Sequence, residues 1–225
     1  MGLFTTKQWG KSQVFNEYKH PFFTVTSSSA SDDPILFLNP ISTPDNANEI
    51  IRGKENLYLN VSFTQDHILV LPLQKFQFEV RYYPLANIKS KVIVVDEVAS
   101  FLQPPRKIVF NLAENTRVEQ EVFMEAMKKI GLEKGENFLV RSEYEAPIKA
   151  LKELAPSLVF GTTQPEILKL VAMQSMYILE AASLRADVLV HPLKIKNQNF
   201  FNEEMLAEMQ RRHKKIIVGP LSQSE

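Results

Sequence analysis

The sequence predicts an α/β fold in which parallel strands are joined by crossover helices, and three observations carry that prediction. From Ile35 onward, short apolar runs alternate with stretches whose apolar positions recur every three or four residues, the pattern of strand–helix–strand units. With 225 residues and 44% hydrophobic content the chain is long enough for one domain with a substantial core. No segment approaches the ~18 consecutive apolar residues of a membrane span, so that core belongs inside a soluble body.

Taken in order, Pro21 to Thr26 clusters aromatic and β-branched residues and reads as a short strand, followed by a loop over Ser27 to Pro34. Residues 1–34 are thus an N-terminal extension and residues 35–225 a single domain. Strands are expected at Ile35 to Leu38, Leu57 to Phe63, Lys107 to Leu112, Asn137 to Val140, Ser157 to Phe160, Asp187 to Val190 and Lys215 to Val218. Helical spacing appears over Glu119 to Ile130, Ala146 to Leu154, Pro165 to Met173 and Glu203 to Arg212, with a further helix expected over Tyr177 to Arg185. Glu79 to Lys91 reads as irregular.

Composition removes several function classes. Lys plus Arg and Asp plus Glu both total 26, so no net field draws in a phosphate backbone, and nucleic acid is not expected as a partner. Cysteine is absent, which rules out disulfides and thiolate metal sites. The opening residues carry no apolar stretch of signal-peptide length, and a cytoplasmic location is expected.

Three stretches together give the chain a likeness. Leu38-Asn39-Pro40-Ile41 is followed by Pro44-Asp45-Asn46-Ala47; Tyr58-Leu59-Asn60-Val61 is followed by Thr64-Gln65-Asp66-His67 and Leu73-Gln74; a later strand ends Asn111-Leu112-Ala113. In order and spacing these resemble the glycerophosphodiester phosphodiesterase family, with its His-Arg-Gly and Pro-Glu-Asn-Thr, its Glu-Leu-Asp-Val, Thr-x-Asp-Gly and His-Asp, and its Glu-Ile-Lys. Val140 to Tyr144, Leu151 to Pro156, Ala186-Asp187-Val188 with Pro192, and Lys215 to Pro220 extend the resemblance over about residues 35 to 220. It implies a TIM-type barrel of the phospholipase-C-like phosphodiesterase kind. The chain ends at Glu225, soon after Val218, so the family's eighth strand has no counterpart and the barrel is expected to be atypical. The N-terminal strand or a second subunit, as a homodimer, would cover the gap.

The resemblance also implies a divalent cation held by three carboxylates and two histidines that exchange protons. The matching carboxylate positions are Tyr58, Asn60 and Asn111, and none is charged. Neutral amides and a phenol lack the Coulomb attraction that holds a hard dication against water. The histidine positions are Asn39 and Leu73, which removes general acid–base catalysis, typically worth ~10²–10⁴-fold. The family's phosphate-neutralising arginine is Pro40, and Asp45 is the one carboxylate kept. Leu57 to Phe63 contains no Glu, Asp or His in any register.

No catalytic residues, no metal and no cofactor are therefore assigned. A pocket is expected from Asn39, Asp45, Tyr58, Asn60, Asn111 and His191, in which the asparagines either hydrogen-bond each other and water or hold a small neutral or phosphorylated ligand. His191 follows a strand at the end where barrel sites are built, although a lone His at a strand end is more often a hydrogen-bonded structural residue. His67 reads as a solvated turn residue, His20 and His213 as surface. The leading function is a pseudoenzyme acting by binding or protein assembly. Alternatives are a phosphodiester hydrolase with relocated groups (Asp45, Asp66, His191) and a phosphate-ester sensor.

Overall fold

A computed structural model of the chain describes residues 15, 19–23, 37–38, 44–73, 80–115, 119–191, 194–195 and 198–218. Contacts group the chain into two compact units, His20–Val159 and Met1–Lys19 with Phe160–Glu225.

In the first unit the sheet begins with β1 (Phe37–Leu38), β2 (Asn56–Phe63), β3 (Leu69–Pro72), β4 (Val92–Val94), β5 (Ile108–Leu112) and β6 (Phe138–Ser142), and β7 (Val159–Phe160) straddles the boundary. Strand order is β4-β3-β2-β5-β6-β7, with β1 also on β2. The β1–β2, β2–β5 and β5–β6 pairs are parallel, whereas β3 is antiparallel to both β2 and β4. Parallel strands buried on both faces read as near-continuous apolar runs, and β5 and β6 are buried at every position.

The two faces of β2, β5 and β6 differ sharply in chemistry. In register, Leu57 sits beside Ile108 and Phe138, and Leu59 beside Phe110 and Val140. Phe110 and Phe138 meet Phe123 of α3 (Glu119–Lys129) edge-to-face, with centroids 5.9 and 6.4 Å away, an aromatic geometry worth ~0.5–1.5 kcal/mol per pair beyond buried area. The alternate positions face the other way. They bring Tyr58 beside Val109 and Leu139, and Asn60 beside Asn111 and Arg141.

Before α3, α1 (Pro44–Arg52) runs into β2, and its C-terminal carbonyls are gathered by Arg106. That guanidinium donates to the carbonyl oxygens of Ile50, Ile51, Glu55 and Phe101, placing a cation at the negative end of the helix. After β6, α4 (Glu145–Leu154) buries Pro147, Ile148 and Leu151.

Two sequence expectations change here. Pro21–Phe23 is a 3₁₀ turn rather than the start of a strand, because His20 supplies both acceptors: its carbonyl to Phe23 N–H and its Nδ1 to Phe22 N–H. Phe22 is buried, with the Lys107 ammonium 5.6 Å from its ring centroid, while residues 24–26 of the expected strand lie outside the described residues. The stretch expected to be irregular contains short helical turns at Val80–Tyr82, α2 (Leu85–Ile88) and Lys89–Lys91. Around it β3 and β4 pair across a long loop and close an apolar cluster of Val70, Val80, Ile88, Val92 and Val94.

In the second unit α5 (Gln164–Ser175) precedes β8 (Val188–His191), and α6 (Glu203–Arg211) precedes β11 (Lys215–Val218); the two-residue strands β9 (Lys194–Ile195) and β10 (Gln198–Asn199) pair with each other. β8 is parallel to β11 and meets Gly161 through an isolated parallel bridge. Ile167, Leu170, Leu179, Leu189, Met205 and Met209 form its core. The helix expected over Tyr177 to Arg185 is a correction: only Leu179–Ala181 is helical, and it is 3₁₀. Tyr177 has φ 58° and donates to the Gln174 carbonyl while Ile178 donates to that of Met173, so α5 ends in a Schellman motif that turns the chain away. His213, at φ 54°, ends α6 by the same two bonds, to Gln210 from its own N–H and to Met209 from Lys214. No helix among the described residues is long and apolar enough to cross a membrane.

Candidate functional site

Polar side chains converge on the face of β2, β5 and β6 that turns away from α3. Alternation along β2 puts Tyr58, Asn60 and Ser62 on that face, and the register adds Asn111 from β5 and Arg141 from β6. Asn111 Nδ2 donates to Asn60 Oδ1 at 2.7 Å. Arg141 Nη1 reaches over β5 to donate to the Tyr58 hydroxyl at 2.6 Å. Tyr58, Asn111 and Arg141 are each less than a tenth exposed, and Ser62 is fully enclosed. Burial pushes the Tyr58 phenol up, with the Arg141 charge and hydrogen bond pulling against it.

Among the described residues this face offers a divalent cation no carboxylate. Asn60 already uses its amide oxygen to accept from Asn111, Tyr58 is neutral and bonded to a guanidinium, and that positive charge would repel a second one. Among the described residues no group of three or more His, Asp or Glu is placed to hold a metal.

The other expected pocket residues are distributed as follows. Asn39 lies outside the described residues; the backbone of Asp45 is in α1, but its side chain is outside them. Leu73 is buried just after β3. His191 ends β8 in the second unit, where its ring packs on Phe200 with centroids 4.5 Å apart. Asp66 is exposed and accepts from the Leu85 N–H at 3.0 Å, tying its turn to the start of α2. Its carboxyl is held below the ordinary range, first by the Thr64 side chain. His67 is exposed, in a turn at φ 59°.

Two features escaped sequence reasoning. Arg141 sits in Val140 to Tyr144, a stretch that extends the family likeness, and only the strand register places it beside Asn111. Glu114, just beyond β5, lines a cleft with Val61, Phe63, Leu112, Glu119 and Pro147. Burial, then the charge of Glu119, push its carboxyl up to about 7. A Glu three residues after Asn111 was the available signal.

Against known proteins the sequence itself finds nothing: no family model and no curated protein matches it. Comparison of folds is decisive. A glycerophosphodiester phosphodiesterase from Agrobacterium tumefaciens superposes with a TM-score of 0.55 at 13% identity, covering 80% of each chain. The fold is that of the glycerophosphodiester phosphodiesterases. The glycerophosphoryl diester phosphodiesterase domain of a Mycobacterium tuberculosis protein matches with a TM-score of 0.57 at 12% identity, covering 83% of this chain and 88% of its own. An Oleispira antarctica phosphodiesterase, solved with its product sn-glycerol 3-phosphate, matches at 0.57 and 12%, covering 84% and 85%. The phosphodiesterase barrel is therefore the architecture this α/β chain resembles. At such identity the likeness is one of fold.

Proposed function

We propose that this chain is a catalytically silent version of the phosphodiesterase fold that works by binding. One observation supports the proposal: Tyr58, Asn60 and Asn111, which the likeness matches to the family's carboxylates, are neutral, Asn60 being bonded to Asn111 and Tyr58 to the buried Arg141. Metal-assisted attack on a phosphodiester needs a dication to polarise the phosphoryl oxygen and orient the nucleophile, and a face built from Tyr58, Asn60, Asn111 and Arg141 favours anions over cations. Asp66, one of the groups from which a relocated mechanism would be assembled, is committed to the start of α2.

The test is hydrolysis of glycerophosphodiesters by the full chain with added Mg²⁺, Ca²⁺ or Mn²⁺. Product release is expected to match a protein-free blank in each case. Turnover that disappears in Asp45→Ala would overturn the proposal.

A further inference from the structure

Arg141 is 6% exposed. Among the described residues its hydrogen-bond partner is the Tyr58 hydroxyl, and its Nε is enclosed with no acceptor. The chain treats its other buried arginines differently. Arg212, 4% exposed, is met by the Glu208 carboxylate and by the carbonyls of Leu179, Glu180 and Ala182. Arg106 is met by four backbone carbonyls. Arg141 alone of the three has neither a carboxylate nor a carbonyl. An uncompensated buried charge is strongly destabilising, and a counter-ion offsets that cost.

The neighbouring side chains specify more than charge. Asn111 Oδ1 is buried without a donor and Ser62 Oγ without a partner, both on the same face as Arg141. A guanidinium N–H seeking an acceptor, beside an amide oxygen seeking a donor, matches a ligand that carries an oxyanion and a hydroxyl together. Guanidinium is suited to this because it presents N–H groups in a fixed plane to phosphate or carboxylate oxygens.

We propose that the Arg141–Asn111–Tyr58 face binds a small hydroxyl-bearing oxyanion, phosphate or carboxylate, directly through the Arg141 guanidinium and without a metal ion. This deepens the binding function proposed above and rests on it only in taking the ligand to be retained unchanged.

The experiment is thermal unfolding of the full chain in excess EDTA with inorganic phosphate, glycerol phosphate, lactate or neutral glycerol. At ~100 times the dissociation constant a bound anion raises the midpoint by roughly 5 to 10 °C for a chain of this size. That rise is expected with glycerol phosphate or lactate, is smaller with inorganic phosphate, and is absent with glycerol; the relative effects of the two organic anions identify the oxyanion. Arg141→Met should lose the response. Where that variant does not fold, Asn111→Asp carries the test: an internal carboxylate beside the guanidinium should leave the midpoint at or above that of the wild type while abolishing the anion effect. No response to any anion would mean that solvent alone satisfies Nε, and the proposal falls. It falls equally if Arg141→Met or Asn111→Asp keeps the response, or if the response requires added Mg²⁺ or Ca²⁺. Hydrolysis of a glycerophosphodiester would instead sink the silent-enzyme proposal and leave the anion response as measured.

Discussion

Glu114 shows how position alone sets the behaviour of an ordinary side chain. Its carboxyl titrates near 4.5 when solvated and at about 7 in the fold, raised by burial and by Glu119. Between those values the folded chain holds a proton that the unfolded chain has released, so stability falls as pH rises across the interval. The contribution is complete below about 4.5 and gone once pH has passed through 7. Replacing Glu114 by Gln keeps the shape and removes the charge. Urea midpoints measured from pH 4.5 to 8 should then decline less steeply than in the wild type, and an unchanged slope would assign the titration elsewhere. At this scale the sequence was only partly legible. The neutral residues at Tyr58, Asn60 and Asn111 could be picked out by the likeness of single strands to the family, but the approach of Arg141 depends on register between β5 and β6, which a linear pattern does not encode. Glu114 and Glu119 are near in sequence, yet their raised titration depends on the walls Val61, Phe63 and Leu112 supplied by two strands.

Among the elements, α5 is held by an unusually busy carboxylate. Glu166 accepts from the Thr163 N–H and hydroxyl through one oxygen and from the N–H groups of Arg185 and Ala186 through the other. It therefore caps the helix N-terminus and fixes the segment leading into β8. Glu166→Ala should cost ~1–3 kcal/mol, read as a lower urea midpoint, and enhanced amide exchange at both Thr163 and Ala186 would show that both ends were released. A loss confined to Thr163 would show that the clamp is only a cap. Lys215–Val218 and Ile108–Leu112 were legible as strands because each is a compact apolar or β-branched run. β3 and β4 were missed because each is short, three or four residues, and β4 finds its partner β3 only across a long connection. The helix expected after Tyr177 failed for a backbone reason, since the left-handed residue ending α5 is a tyrosine rather than the glycine that would have announced it.

At the scale of the whole molecule, the N-terminal residues have attachments in each unit. Phe15 stacks on the guanidinium groups of Arg211 and Arg212, 5.1 and 5.4 Å from its ring centroid. Phe22 is buried over Lys107 in the other. Burial distinguishes the two contacts. Phe22→Ala is expected to cost ~3–5 kcal/mol, the range for deleting an enclosed aromatic ring, whereas Phe15→Ala removes cation–π contacts worth ~0.5–2 kcal/mol. Guanidinium chloride midpoints for the two variants would rank them, and a larger effect at Phe15 would contradict the assignment. The parallel α/β pattern and its phosphodiesterase likeness were visible in the sequence because they repeat along most of its length; the attachments at Phe15 and Phe22 were not, because they join residues remote in sequence.

Arg141 has a consequence for supply. A positive centre provided by a bound ion exists only while that ion is present, and it is lost to any stronger chelator nearby. A guanidinium arrives with the polypeptide and is in place once β6 has paired with β5. No scavenging of divalent ions would empty the face, and no exchange of one ion for another would retune it. Its occupancy would follow the concentration of its anion alone.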